Sequence, residues 1–542
     1  MVKKSRIVNR RDFLKTGAAM GAGATSLAAE TKPGKIRFDH AADVVIIGAG
    51  AAGLPAAITA RDQGVSVIVL DENHDIGGHA MLSGGRIPLG GGHSLQKKYG
   101  IKDSADQVYL DHTNHRNPEF RFADRDLVRA WADENVATFE FLLENGVVFE
   151  DAAPTPVNGG SVPRLFVTRR FSDDLKETIN GRPGSGLVRH LEARARAKGV
   201  TFLLQHKLTR ILREGPGRVV GITAKLDGKD VNVQARKGVI LATGGHTSNV
   251  AFRRMFDPRL TEEYQVTGEP WTKQNADGEI LAMAIGAALW ATSNQSNEGG
   301  RAVTKTAHIG CRYGYQNLKW DPQSPIFPQA GASGLTVRSF ENLILVNQVG
   351  RRFWNELDDS YKFLSACLGT NGNLGKNGKT NGGGPIWAVF DSDAVKREGW
   401  DPKPPNVDLN GWFFGADSIA DLAGRIENPY QSGRIPASAL EETVAKFNSY
   451  VDMGKDPEFG RPKPQFKIQK PPFYAAWSTP ILHDTLTGLK ITPKCQVVDV
   501  HGQVIAGLYC AGETAGGFGL HGLPRATVFG RIAGREAALG KA

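Results

Sequence analysis

Three glycines carry the first chemical signal in the chain. Gly48, Gly50 and Gly53 stand at G-x-G-x-x-G spacing directly behind the apolar run Val44-Val45-Ile46-Ile47. Such a run reads as a buried strand that turns sharply into a helix. Gly48 permits the tight turn, Gly50 lets backbone approach a pyrophosphate, and Gly53 lets the helix pack on the strand. The helix start, through Ala52, offers free N–H groups and a partial positive charge to phosphate. A second apolar run, Val65 to Leu70, ends at Asp71-Glu72. An acidic residue there holds a ribose hydroxyl and argues against a 2′-phosphorylated ligand. The expected chemistry is dinucleotide binding.

More glycines follow in Gly77-Gly78-His79-Ala80, Ser83-Gly84-Gly85 and Gly90-Gly91-Gly92-His93. Clusters this close to the fingerprint imply backbone laid against a flat ligand. The elements that must hold them are legible from periodicity. Residues 126–146 read as an amphipathic helix, with Leu127, Trp131, Phe139 and Leu142 on one face. Leu187, Leu191 and Ala195 mark another helix, followed by a strand from Val200 to Gln205. Val219–Ile222 and Val231–Val233 read as a hairpin. Gly238 to Leu241 is then an apolar strand that ends in Ala242-Thr243-Gly244-Gly245. Ser438-Ala439-Leu440-Glu441 has the capping-box pattern and opens a helix with Leu440, Val444, Phe447 and Val451 on one face. Gly369 to Gly384 reads as a surface loop.

At 542 residues the chain exceeds the size of a single core, so two or more domains are expected. No run of about 18 apolar residues is present, so no membrane span is expected. The net charge is +10, but residues 1–29 hold six Lys/Arg against one Asp and so account for half of it. The basic balance is therefore no sign of nucleic-acid binding. None of the four cysteines forms C-x-x-C, which argues against zinc, iron–sulfur and attached haem, and no metal is expected. Asn9-Arg10-Arg11-Asp12-Phe13-Leu14-Lys15, followed by a mildly apolar stretch to Ala29, looks like a twin-arginine export signal. A periplasmic protein is expected.

Taken in order, the motifs form a specific set. They are the fingerprint, Gly77-Gly78, the Ala242–Gly245 turn, Gly507-Leu508-Tyr509-Cys510-Ala511-Gly512-Glu513, and Phe529-Gly530-Arg531-Ile532-Ala533-Gly534. The chain resembles the fumarate reductase/succinate dehydrogenase flavoprotein superfamily over about residues 40–540. Its Ser83–Gln96 stretch is most similar to the 3-ketosteroid dehydrogenase branch. The resemblance implies an α/β fold: a Rossmann-like FAD-binding domain of the glutathione-reductase type with an inserted α+β capping domain. It implies a signal peptide at 1–29, FAD domain at 38–297 and 483–542, and cap at 298–482. It implies FAD held by Gly48, Gly50, Ala52, Gly53, Asp71, Glu72, Gly78, His79, Ala80, Ser83, Gly84, Gly85, Ala242, Thr243, Gly244, Asp277, Glu513, Arg525, Thr527 and Val528. The spacing from His79 to Gly84-Gly85 matches the non-covalent pattern better than the covalent one.

Within the cap, Asn342 to Asn347, Gly350, Arg352, Phe353, Asn355 and Glu356 resemble the family stretch I-L-V-N-x-x-G-x-R-F-x-N-E. Soluble fumarate reductases place a proton-donating arginine four residues after that Glu; here the slot is Ser360, with Tyr361 beside it. Tyr361 is a candidate base or activator, and His521, which titrates near neutrality, a candidate proton carrier. The family's later substrate histidine becomes Asp484 in His483-Asp484-Thr485-Leu486-Thr487-Gly488. A site lined by Glu298 and Asp484 would repel a dicarboxylate. Arg525 has two readings: a carboxylate clamp in H-G-x-x-R, or a cation near the flavin pyrimidine that stabilises its reduced anion. The cap aromatics Trp354, Trp387, Phe390, Trp412, Phe413 and Phe414 are expected mainly in the core.

The leading expectation is a periplasmic FAD-dependent dehydrogenase or ene-reductase acting on a C–C bond next to a carbonyl. Its substrate is a small aromatic, alicyclic or steroid-like molecule, with dehydrogenation favoured. Electrons would pass to or from a separate cytochrome c or quinone, since one fingerprint leaves no second nucleotide site for NAD(P)H. The alternatives are a respiratory reductase of an unsaturated carboxylate and a non-catalytic exported flavin carrier.

Overall fold

Val44, Val45 and Ile46 are fully buried and Ile47 nearly so, so this strand must lie between neighbours with both faces covered. In the computed structural model it does. The structure describes residues 36–114, 122–156, 160–173, 179–291, 303–304, 308–314, 319–358, 367, 383–520 and 522–540. Strand β1 (His40–Ile47) leads through helix α1 (Gly53–Asp62) to β2 (Val67–Leu70), which pairs parallel with β1. Strand β3 (Lys229–Leu241) pairs parallel on the other side of β1, and β4 (Val504–Cys510) pairs parallel with β3. Thr201–Leu203 extends the parallel set beyond β2. The expected hairpin forms, with Ile222 opposite Val233, and completes an eight-stranded sheet with Lys207–Arg213 and Gln496–Val498.

Two ends of the chain thus build one sheet. Leu508, Tyr509 and Cys510 lie beside Val239, Ile240 and Leu241, more than 260 residues earlier in sequence. The final helix α2 (Gly522–Leu539) then packs on α1 through glycines. A Cβ on Gly530 would stand 2.3 Å from the Ala52 carbonyl oxygen, and one on Gly534 2.3 Å from that of Ala56. The predicted helix of residues 126–146 is Arg125–Glu144, capped by the Asp124 carboxylate, with Leu127, Trp131, Phe139 and Leu142 buried.

The middle of the chain has its own sheet. Ile344–Asn347, Ile386–Asp391, Phe473–Trp477 and Phe413–Ala416 lie in that order, each antiparallel to the next. Alternate residues of Ile386–Asp391 serve two separate cores, as strand geometry requires. Ile386, Ala388 and Phe390 enter one apolar cluster, and Trp387 and Val389 the other. The cap aromatics named above all pack in or against these clusters. Chain leaves and returns at a small three-stranded sheet in which Ile481–Leu482 pairs with Gln265–Val266 and Val303–Thr304.

The family stretch in this segment builds a buried ion network. Arg352 grips Glu356 through two bonds of 2.8 Å and reaches Asp456 at 2.9 Å. Arg461 adds bonds to Glu356 at 3.1 Å and Glu341 at 2.7 Å. One expectation needs correction. The helix read from Ser438 is Ala437–Met453, and its N-cap is Pro436 with no side-chain cap bond. Pro436 sits at φ −61° with extended ψ, so the helix starts ahead of Ser438 and no capping box forms. Most of the Gly369–Gly384 stretch lies outside the described residues.

Candidate active site

One cavity of about 810 Å³ runs along the carboxyl ends of β1, β2 and β3. That is the place where parallel sheets of this kind bind ligands, and the volume falls in the range of small-molecule and cofactor sites, about 300–1,000 Å³. The fingerprint forms one wall. Gly48 lies at φ +101°, and a Cβ there would stand 2.1 Å from the Ala242 carbonyl oxygen. A Cβ on Gly53 would stand 1.9 Å from the Gly48 carbonyl oxygen. A Cβ on Gly50 meets nothing closer than 3.7 Å, so its backbone stays open toward the cavity. Two glycines close the turn and the third leaves room for a phosphate.

Asp71 braces that turn. Its carboxylate accepts the Ala49 N–H at 2.8 Å and the Asn73 N–H at 2.9 Å. Burial raises its pKa to about 6, with the charges of Glu72 and Asp75 adding to the effect. Lys207 bridges Glu72 at 3.0 Å and Asp277 at 3.1 Å. Thr514 ties the C-terminal turn to the β3 turn, donating to the Gly244 carbonyl at 2.9 Å and lying 3.2 Å from the Thr243 hydroxyl.

The structure brings most sequence-predicted site residues together. Gly48, Gly50, Ala52, Asp71, Glu72, Gly78, His79, Ala80, Ser83, Gly84, Ala242, Thr243, Gly244, Asp277 and Glu513 all line this cavity. Five stand behind the wall. Gly53 packs beneath Gly48, and Gly85 faces the Thr168 hydroxyl and Pro183. Thr527 turns its hydroxyl back to the Leu523 carbonyl at 2.9 Å, and Val528 is fully buried in the main core. Arg525 is buried, with Nη2 donating to the Thr485 carbonyl at 3.0 Å. Tyr361, His521 and Glu298 lie outside the described residues.

Several wall residues carried no sequence signal. The Gln274 amide donates to Glu513 at 2.7 Å and lies 3.1 Å from His79 Nδ1, so it links the two ends of the chain. It sits in an irregular stretch with no pattern to mark it. His206 and Leu208 join because Thr201–Leu203 lies next to β2, which only strand order reveals. Asp484, expected in the site from its motif, does line the cavity, with His483 Nδ1 3.2 Å from its Oδ2.

The family model for an FAD-binding domain matches residues 43–526. The chain belongs to the fumarate reductase/succinate dehydrogenase flavoprotein superfamily. The acrylate reductase flavoprotein subunit of Shewanella woodyi is 28% identical over 538 residues, covering 96% of this chain and 94% of its own. The 3-oxosteroid 1-dehydrogenase of Mycolicibacterium smegmatis is 26% identical over 568 residues, covering 87% and 92%. In structure, the open conformation of a flavocytochrome c3 fumarate reductase matches with a TM-score of 0.66 at 23% identity, over 99% of this chain and 82% of that one. A twin-arginine signal model matches residues 8–27. The protein is an FAD-dependent oxidoreductase exported to the periplasm. No helix among the described residues is long and apolar enough to cross a membrane.

The residues present fit FAD. The open Gly50 backbone would take the pyrophosphate, and the Asp71 carboxylate would take a ribose hydroxyl. Gly78–Gly84 and Glu513 extend the wall for a longer ligand.

Proposed function

We propose that this enzyme exchanges a hydride and a proton across a C–C bond next to the carbonyl of a small neutral molecule, with dehydrogenation the favoured direction. Bound FAD supplies the hydride chemistry; the chain positions the reactant and handles charge and proton. One observation carries the choice of a neutral reactant. Arg525, the motif's candidate carboxylate clamp, stands behind the wall with a bond to the Thr485 carbonyl, while Asp484 stands in the wall. A carboxylate reactant would meet an acid where its clamp is needed.

In this reading residues 38–297 and 483–542 form a glutathione-reductase-type FAD domain, and residues 298–482 form a cap that shuts the reactant against the flavin. The two cores of the middle segment lie apart from the core of the main sheet and support a separate cap, although Leu260 and Tyr264 from before residue 298 join one of them. Tyr361 keeps its candidacy as base or activator, and His521 as proton carrier. A cytochrome c or quinone exchanges the electrons. A second reading, reduction of an unsaturated carboxylate, draws on Arg86, Arg182 and Lys273, which also line the cavity and offer positive charge.

Anaerobic titration of the flavin-loaded protein separates the two. Bleaching of the flavin by saturated ketones is the expected result. Failure of every ketone, together with oxidation of the dye-reduced enzyme by enoates, would replace the first reading with the second.

A further inference from the structure

One stretch of the cavity wall gathers two acids beside a single arginine. Asp484 and Glu513 both line the cavity. Each offers an oxygen within 4.8 Å of the other and of a His79 ring nitrogen. Asp484 is 3% exposed and Arg525 1%. Arg525 is the cation behind them. Its Nε and Nη1 have no hydrogen-bond partner among the described residues, and both carboxylates act on it electrostatically.

None of the remaining described neighbours carries a fixed charge, and His79 and His483 are cations only when protonated. Gln274 donates to Glu513 at 2.7 Å. The Cys510 thiol on β4 is held well above its usual range by burial, so it carries no charge. The Thr485 hydroxyl and the Gly245 backbone close the side toward β3. His483 approaches Asp484 at 3.2 Å from the same stretch, and His79 faces the pair from the turn after β2. Two carboxylates against one fixed cation cannot both ionise at short range; like charges so close force one to keep its proton.

We infer that Asp484 and Glu513 share one proton, and that this pair presents an O–H donor to the carbonyl oxygen of a neutral ligand in the cavity. The inference rests on the proposed reading of the reactant as a neutral carbonyl compound. Burial, and then the neighbouring Asp484, raise the Glu513 pKa well above the usual carboxylate range. A carboxylic acid held neutral by its site is a strong donor to a carbonyl oxygen on which negative charge develops. It also discriminates: it accepts a ketone and opposes a carboxylate.

The test uses the flavin-loaded protein and acetophenone, a ketone with no C–C bond that dehydrogenation can reach. Benzoate, nearly its isostere, is the control. Infrared difference spectra report two signals: the carbonyl stretch of a protonated carboxyl, and the stretch of bound acetophenone. The expected result is a protonated-carboxyl band lost in both Asp484→Ala and Glu513→Gln, because either change leaves a single carboxylate beside Arg525. Acetophenone should bind wild type with its stretch lowered, at least about tenfold tighter than benzoate and about tenfold tighter than it binds either variant. Its affinity for wild type should fall as pH rises and the shared proton is lost.

The pH measurement needs no variant, so it decides even where a variant fails to fold. Overturning results are acetophenone binding that is absent, or unchanged by pH and by both substitutions, or a flavin spectrum and retention that alter while acetophenone binding does not. The last would mean the donor faces the cofactor. Neither readout depends on turnover. An enzyme that oxidises no ketone yet binds acetophenone as described overturns the proposed reaction and leaves this inference standing.

Discussion

Asp71 is where a single titration controls the cofactor. With its pKa raised to about 6 against an ordinary value near 3.8, the cofactor-free fold binds a proton that the unfolded chain releases. Between those values the folded state holds more protons than the unfolded one, so this group's contribution makes the cofactor-free protein less stable as pH rises toward 6. A ribose hydroxyl needs the carboxylate as acceptor, so FAD binding expels the proton. FAD affinity should therefore fall about tenfold per pH unit below about pH 6 and level off above it, read by flavin fluorescence on release. Asp71→Asn should weaken FAD by about 10- to 100-fold at pH 7.5, the loss expected for a hydrogen bond to a charged group, and flatten that pH dependence. The ion network of the middle segment makes a different claim on residues. Arg352→Ala leaves Glu356 with Arg461 alone and takes from buried Asp456 its arginine, at a cost of about 3–5 kcal/mol, seen in denaturant unfolding. An unchanged unfolding curve would contradict this structural role for a stretch whose family resemblance invites a catalytic one.

Among elements, the pairing of α1 with α2 matters most. The helix that starts at the fingerprint is held by the one that ends the chain, through glycines placed where a side chain cannot fit. Gly530→Ala and Gly534→Ala each put a methyl group 2.3 Å from a carbonyl oxygen of α1 or its start, so the helices must separate. Each should cost about 1–3 kcal/mol. Because Ala52 lines the cavity, Gly530→Ala should also shed FAD faster than Gly534→Ala at equal stability, as read by thermal melting with flavin fluorescence. Both helices were legible as motifs, but their contact was not, since nothing in the spacing of residue 530 names residue 52 as its neighbour.

For the whole molecule, the export signal sets where the cofactor must be loaded. The paired arginines Arg10 and Arg11 lie in the segment that matches the twin-arginine model. Replacing both with lysine should retain flavin-loaded, folded protein in the cytoplasm. Fractionation followed by flavin absorbance checks it, and undiminished periplasmic protein would count against this route. The middle segment, with its own sheet and cores, lies between the two parts of the main sheet in sequence yet returns beside its point of departure.

The cofactor and the strand–turn–helix of its fingerprint followed from local sequence, because strand, turn and helix start occupy consecutive residues. The same holds for the apolar faces of Arg125–Glu144 and Pro183–Ala197, whose periods are local. What tertiary structure alone decided was the chemistry of the far wall. Gln274, Asp484, Glu513 and Arg525 come from separate stretches, and their protonation depends on how many charges meet in one dry place. Charge balance across such distances is set by packing, and no spacing rule within the chain encodes it.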